Sequence, residues 1–136
     1  MCSRAAHFPL LFVLLSSLTS LSLAADEVSE QAAGILRESG VQGGFVVHLG
    51  AGTAELTAAL RASTGFQVQG LEADAALVAA GRRRMLDAGQ YGEVSLLQFS
   101  GQELPYIDNM VNLLVVEGNQ KVPQDELLRV LVPGGT

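Results

Sequence analysis

Apolar positions along this chain alternate between helical stripes and short continuous runs. Val28, Ala32, Ile35 and Leu36 recur at helical spacing, which predicts a helix over 27–39 stopped by Gly40. Phe45-Val46-Val47-His48-Leu49 then follows Gly43-Gly44 as a nearly unbroken apolar run, the pattern of a strand buried on both faces. Residues 54–63 place Leu56, Ala59 and Leu60 on one side and read as a second helix. Residues 66–71 read as a second strand. Asp74 is positioned to cap a third helix running to about Ala88, with Ala75, Leu77, Val78 and Met85 as its apolar side. Strands are predicted over 94–99 and 110–116, the latter the most apolar. A last helix over 123–131 carries Pro123 in its first turn and Pro133-Gly134-Gly135 beyond its end. Residues 101–109 form the longest loop.

A helix followed by repeated strand–helix units implies right-handed crossovers. The expected fold class is therefore α/β: a Rossmann-like parallel sheet with helices on both faces. No internal repeat interrupts it.

The first two dozen residues do not share this pattern. Arg4 is the single formal charge among residues 1–25. Leu10-Leu11-Phe12-Val13-Leu14-Leu15 forms an apolar core, and Ser22-Leu23-Ala24 supplies small residues before Ala25-Asp26-Glu27. This is the form of a secretory signal over 1–24, cleaved after Ala24. The competing reading is a membrane anchor over 8–25, but the run is short and diluted by Ser and Thr for a span of about 20 residues. An exported protein, touching the membrane only transiently through its signal, is expected.

That division changes the composition. The whole chain has 136 residues and net charge −6; removing 1–24 leaves 112 residues and, with the loss of Arg4 alone among charged groups, a charge of −7. Removal also takes Cys2, the only cysteine, so the remainder has no thiol nucleophile, disulfide or thiolate-ligated metal. The acidic balance argues against a nucleic-acid partner. With His7 in the signal, His48 is the only other histidine, and no metal site is supported.

In open parallel sheets ligands bind at the carboxyl ends of strands, where strand order reverses. The turn after the first strand, Leu49-Gly50-Ala51-Gly52-Thr53-Ala54-Glu55, is the candidate. Its glycines permit positive φ and let backbone approach a ligand. A dinucleotide fingerprint requires a third glycine where Glu55 stands, and a carboxylate there would face a pyrophosphate, which disfavours NAD and FAD. Glu72 closes the second strand twenty positions after Gly52 and can accept both hydroxyls of a ribose. The alternative is a solvated strand-end acid.

Downstream stand Leu104-Pro105-Tyr106-Ile107-Asp108 before the fourth strand and Arg129-Val130-Leu131-Val132-Pro133-Gly134-Gly135 at the end. Together with Gly50, Gly52 and Glu72, this ordered set resembles the class I S-adenosylmethionine-dependent methyltransferases over residues 28–136. The resemblance implies S-adenosylmethionine as cofactor. Gly50, Ala51 and Gly52 would lie against its methionine part, and Glu72 would hold the ribose hydroxyls. Leu71 and Ala73 would flank the adenosine, and Ser100, Gly101 and Gln102 would cap the adenine. No catalytic residue is implied.

Four positions depart from the family pattern: His48 and Asn112 where acids are common, Ala54 where a third glycine is usual, and Ser100 where an aspartate often stands. His48 reads as a structural strand histidine or, alternatively, a proton acceptor. Arg82-Arg83-Arg84 reads as a solvated helix face, and Tyr91 and Tyr106 as apolar lining. The family's C-terminal strands would follow Thr136, so the chain is expected to be a fragment whose open sheet edge is covered by a downstream segment or a partner. The function that follows is methyl transfer by an exported protein to an unknown acceptor. The alternative is a non-catalytic cofactor- or nucleotide-binding, or protein-interaction, remnant of the same fold.

Overall fold

The computed structural model describes residues 16–136, so the apolar core Leu10–Leu15 of the expected signal, with Cys2, Arg4 and His7, lies outside the described residues. The chain order is α1 (Ser16–Ser39), β1 (Gly44–Leu49), α2 (Glu55–Ala59), β2 (Phe66–Glu72), α3 (Ala75–Asp87), β3 (Val94–Gln98), β4 (Leu113–Val116) and α4 (Gln124–Val130). The four strands form one sheet in the order β3-β2-β1-β4, parallel at every pairing. Chain order runs outward from β1 to β3 and then jumps back to the other side of β1. The carboxyl ends of β1 and β4 therefore flank the reversal point.

Each face of the sheet has its own core. Val46, Val68 and Leu96 face Ala32 of α1, Leu56 of α2, Leu60 just beyond it, and Val78 and Met85 of α3. Val47, Leu49 and Leu71 face Val130 of α4 with Leu104 and Val111. β1 is buried from both sides, with Val46 and Val47 fully inaccessible, as its continuous apolar run requires. Asp74 caps α3: Oδ1 accepts from the backbone N–H groups of Ala76 (2.7 Å) and Leu77 (3.3 Å).

Three element boundaries differ from the sequence pattern. α1 already includes Ser16, well before the buried stripe, because neither glycine nor proline interrupts 16–33. Its residues 22–27 are exposed, while Ala32 is buried. α2 spans only five residues. Arg61 N–H turns back to Ala58 O at 3.2 Å, and Gly65 O accepts from Gly44 N–H at 2.8 Å, so the chain is drawn directly into β2.

β4 begins at Leu113 instead of Met110. Asn109 has φ 57°, and the N–H groups of Met110 and Val111 both reach Val130 O at 2.8 Å, pairing this stretch with the exit of α4. Asn112 then joins it to β1: its N–H donates to Phe45 O and its Oδ1 accepts from Phe45 N–H, both at 2.8 Å. At the outer edge of β4, Leu114 N–H donates to Thr136 O (2.8 Å) and Thr136 N–H to Asn112 O (3.2 Å).

Candidate functional site

Gly50 turns the chain out of β1 at φ 86°, followed by Gly52 at 54° and Ala54 at 66°. The N–H groups of Gly50 and Ala51 share Leu71 O, at 2.9 and 3.1 Å, which pins the turn to the end of β2. At Gly50 a side chain has no room: a Cβ would come within 2.5 Å of Glu117 O and 2.6 Å of Gln120 Nε2. At Gly52 a Cβ would meet nothing within 4 Å, so open space lies directly in front of that backbone. Ala54 holds a conformation that costs an L-residue about 1–2 kcal/mol. It does so where the family resemblance expects glycine.

Glu72 joins the turn to β2. Its Oε2 accepts from Gly52 N–H at 2.7 Å and its Oε1 from Asp74 N–H at 3.0 Å. An ionised carboxylate offers about four lone-pair positions, so each oxygen keeps acceptor capacity after these two bonds. Glu72 thus serves the turn while Asp74 serves the helix.

Two adjoining hollows open along this edge. The inner one, about 270 Å³, is bounded by Gly50–Thr53, Glu55, Leu56, Val28, Gln31 and Glu117. The outer one, about 130 Å³, is bounded by Ala73, Phe99, Ser100, Gly101, Asn119, Gln120 and Lys121. The segment from Glu117 to Gln120 separates them. It lies over Gly50 and is braced by Gln120 Nε2 donating to Glu117 O at 2.6 Å. Gly50, Ala51 and Gly52 therefore meet at the inner hollow, and Ala73, Ser100 and Gly101 at the outer. Gln102 is exposed and lines neither.

His48 sits behind the inner hollow and is 1% exposed. Its Nδ1 lies 2.9 Å from Thr57 Oγ1 and its Nε2 3.1 Å from Glu117 Oε2. Burial pushes the imidazole pKa below its ordinary 6.5, although Glu117 and Glu72 pull the other way. A carboxylate only accepts, so Nε2 carries the proton and Nδ1 of the neutral ring accepts a hydrogen bond from the Thr57 hydroxyl. Glu117, Thr57 and Gln120 were not legible as site residues. Glu117 carries the same signal as Glu72, an acid at the carboxyl end of a buried strand.

The remaining motif residues lie elsewhere. Arg129 ties the 104–108 loop to α4: Nη1 reaches Asp108 Oδ1 (2.7 Å), Nη2 and Nε reach Glu126 (2.7 and 2.8 Å), and Leu104 N–H also donates to Glu126 Oε1 (2.7 Å). Those donors, Arg129 first, lower the Glu126 pKa to about 2, and the Glu126 and Asp108 carboxylates raise that of Arg129. Tyr106 donates to Gln69 Oε1 at 2.6 Å and packs edge-on against Phe45; burial pushes its phenol pKa up. Of the arginine run, Arg82 Nε donates to Leu96 O (3.0 Å), Arg83 pairs with Asp87 and Arg84 with Glu55. Among the described residues no group of three or more His, Cys, Asp or Glu side chains could hold a metal.

Comparison with known proteins is consistent with this geometry. A family model described as a methyltransferase domain matches residues 46–135. A ubiquinone/menaquinone biosynthesis C-methyltransferase of Idiomarina loihiensis is 32% identical over 106 residues, covering 71% of this chain and 42% of that protein. The chain thus spans less than half the length of this relative. Geranyl diphosphate C-methyltransferase of Streptomyces coelicolor, solved with Mg2+, geranyl diphosphate and S-adenosyl-L-homocysteine, superposes with a TM-score of 0.69 at 21% identity over 79% of this chain and 43% of its own. An S-adenosylmethionine-dependent methyltransferase of Aquifex aeolicus gives a TM-score of 0.62 at 17% identity, covering 80% and 68%.

Proposed function

The chain belongs to the methyltransferase domain family, and from that premise we propose that it is the cofactor-holding portion of an exported S-adenosylmethionine-dependent methyltransferase. Glu72 is the observation that carries this reading. Its carboxylate is fixed at the carboxyl end of β2 by the Gly52 and Asp74 N–H groups, beside Gly52 of the inner hollow and Ala73 of the outer one, with acceptor positions left for two ribose hydroxyls. The open space before Gly52 is where a ligand can lie against backbone. Glu55, paired with Arg84, stands where a dinucleotide fingerprint requires glycine.

When bound, S-adenosylmethionine supplies an electrophilic methyl group on a sulfonium. The residues here bind and orient: Gly50–Gly52 receive the amino-acid end, Glu72 the ribose, and Ala73, Ser100 and Gly101 the adenine. Catalysis by such a site is chiefly positioning of an acceptor in line with the methyl group. The acceptor's own binding residues are not assigned.

Export is supported by the leader pattern and by the build of α1. Cleavage after Ala24 would remove no residue seen to be buried, since 22–27 are exposed and the packed stripe starts at Val28. No described helix is long and apolar enough to cross a membrane. The hydrogen bonds from β4 to Thr136 support a further parallel strand, from a downstream segment or a partner, covering that edge.

Calorimetric titration with S-adenosylmethionine tests the cofactor assignment. Micromolar to sub-millimolar binding is expected; no heat at millimolar ligand from a sample shown to be folded would end it. Labelled methyl transfer to an extracytoplasmic fraction tests activity, and binding without transfer would favour a non-catalytic module. N-terminal sequencing of the exported protein should begin at Ala25.

A further inference from the structure

We propose that Glu117 is the carboxylate that receives the α-ammonium group of the cofactor's amino-acid end, and that His48 is the positioning residue behind it. This rests on the cofactor reading above.

Three observations converge. The first is placement. Glu117 N–H donates to Leu49 O at 2.9 Å, which locks the end of β4 against the end of β1. The side chain then borders the same hollow as Gly50, Ala51 and Gly52.

The second is orientation by neutral groups. His48 Nε2 holds Oε2 at 3.1 Å, and Gln31 Nε2 donates to Oε1 at 3.3 Å. His48 is buried and its charged form is disfavoured, so neither partner cancels the carboxylate charge at neutral pH. An arginine or lysine in place of His48 would have done so.

The third is what the hollow lacks. None of its lining residues is basic, and Glu55 is a second carboxylate among them. The nearby Arg84 is engaged by Glu55. An aimed carboxylate with no protein cation calls for a cation on the ligand.

S-adenosylmethionine offers two cations, and hydrogen-bonding capacity separates them. A sulfonium has no N–H or O–H to donate, whereas an ammonium donates three bonds. After His48 and Gln31 are served, Glu117 keeps acceptor capacity and its residue lines the hollow, and an ammonium uses that capacity. His48 therefore supplies what an acid at its own position could not. It fixes a carboxylate one strand away by donating to it.

The test compares three ligands on wild type and E117Q: S-adenosylmethionine, S-adenosylhomocysteine and 5′-methylthioadenosine, which retains the adenosine and thioether but lacks the amino-acid end. E117Q is expected to weaken the first two by about tenfold or more, the scale of a charge-assisted hydrogen bond, and to leave 5′-methylthioadenosine unchanged. That unchanged affinity also reports a folded site. H48Q should weaken the same two ligands, by a smaller factor, and again spare the third. Equal loss for all three ligands overturns the proposal in favour of a general packing role. Loss for S-adenosylmethionine alone overturns it in favour of a sulfonium contact, and no loss overturns it outright. If wild type binds none of the three, the cofactor reading fails first.

Discussion

The two hollows along the carboxyl edge are built differently. The inner one is walled by backbone and by polar groups fixed from behind. Gly50 and Ala51 hang from Leu71 O, Gly52 is held by Glu72, and His48 fastens Glu117 from a fully buried position. The outer one is walled mostly by loop residues. Ser100 and Gly101 are exposed; the loop is fixed at its start by Phe99 N–H to Glu72 O at 2.8 Å and at its far end by Leu104 to Glu126 at 2.7 Å. Pre-organisation lowers the ordering cost of binding. Affinity should therefore reside mainly in the inner hollow and at Glu72, with the adenine shelf adding selectivity at smaller energy.

Substitutions can break that contrast. Gly50→Ala should have the largest effect. It places an L-residue at φ 86° and a Cβ within 2.5 Å of Glu117 O, so both walls must shift. Binding of S-adenosylmethionine should drop at least about 100-fold by titration, with the backbone strain alone costing about 1–2 kcal/mol of stability. Retained affinity would show that the turn is not the cofactor seat.

Glu72→Ala comes next. It removes the proposed ribose acceptor and leaves Gly52 N–H without its Glu72 partner, for a loss of about 1–3 kcal/mol, or roughly tenfold to a hundredfold in Kd. Because 5′-methylthioadenosine shares the ribose, it should weaken equally. A selective loss would place Glu72 outside the ribose site.

The tie behind the outer shelf is tested by pH. Glu126 is held at about 2, below its ordinary 4.5. A depressed carboxyl contributes stability that is fully present above the unfolded value and is lost as pH falls through the folded one. Thermal melts of wild type should therefore fall between about pH 4.5 and 2. E126Q should start lower at pH 7 and converge with wild type near pH 2. Parallel curves across that range would mean the Arg129–Glu126–Leu104 tie adds nothing.

Ser100→Ala should have the smallest effect, below about threefold in Kd, as expected for an exposed hydroxyl whose loss changes energies by under about 0.5 kcal/mol. A tenfold loss would invert the contrast and make the shelf the main anchor.

The sheet and both halves of the site were legible to different depths. The runs 45–49 and 66–71 announced buried parallel strands because their apolar residues face cores on both sides. Glu72 and Asp74 were separable in role because one ends a strand and the other precedes a helical stripe. The start of β4 was not legible: Met110 and Val111 are as apolar as the strand proper, and only the positive φ at Asn109 diverts them to Val130. The upstream extension of α1 was hidden because helix continuation needs only the absence of breakers. Glu117 escaped notice for another reason. Its position after a strand carried the same signal as Glu72, but its tie to His48, sixty-nine positions away, is a partnership across neighbouring strands that no local pattern expresses.

One segment, Glu117 to Gln120, bounds both hollows and rests on the single bare Cα of Gly50. A ligand half that settles on one side fixes the wall the other half must meet. Its ordering cost is then met only once, by whichever half arrives first. Methionine and adenosine supplied as separate molecules should accordingly assist each other's binding. A shared partition would turn two modest subsites into one cooperative receptor, with the linkage residing in the protein as well as in the covalent bond of the cofactor.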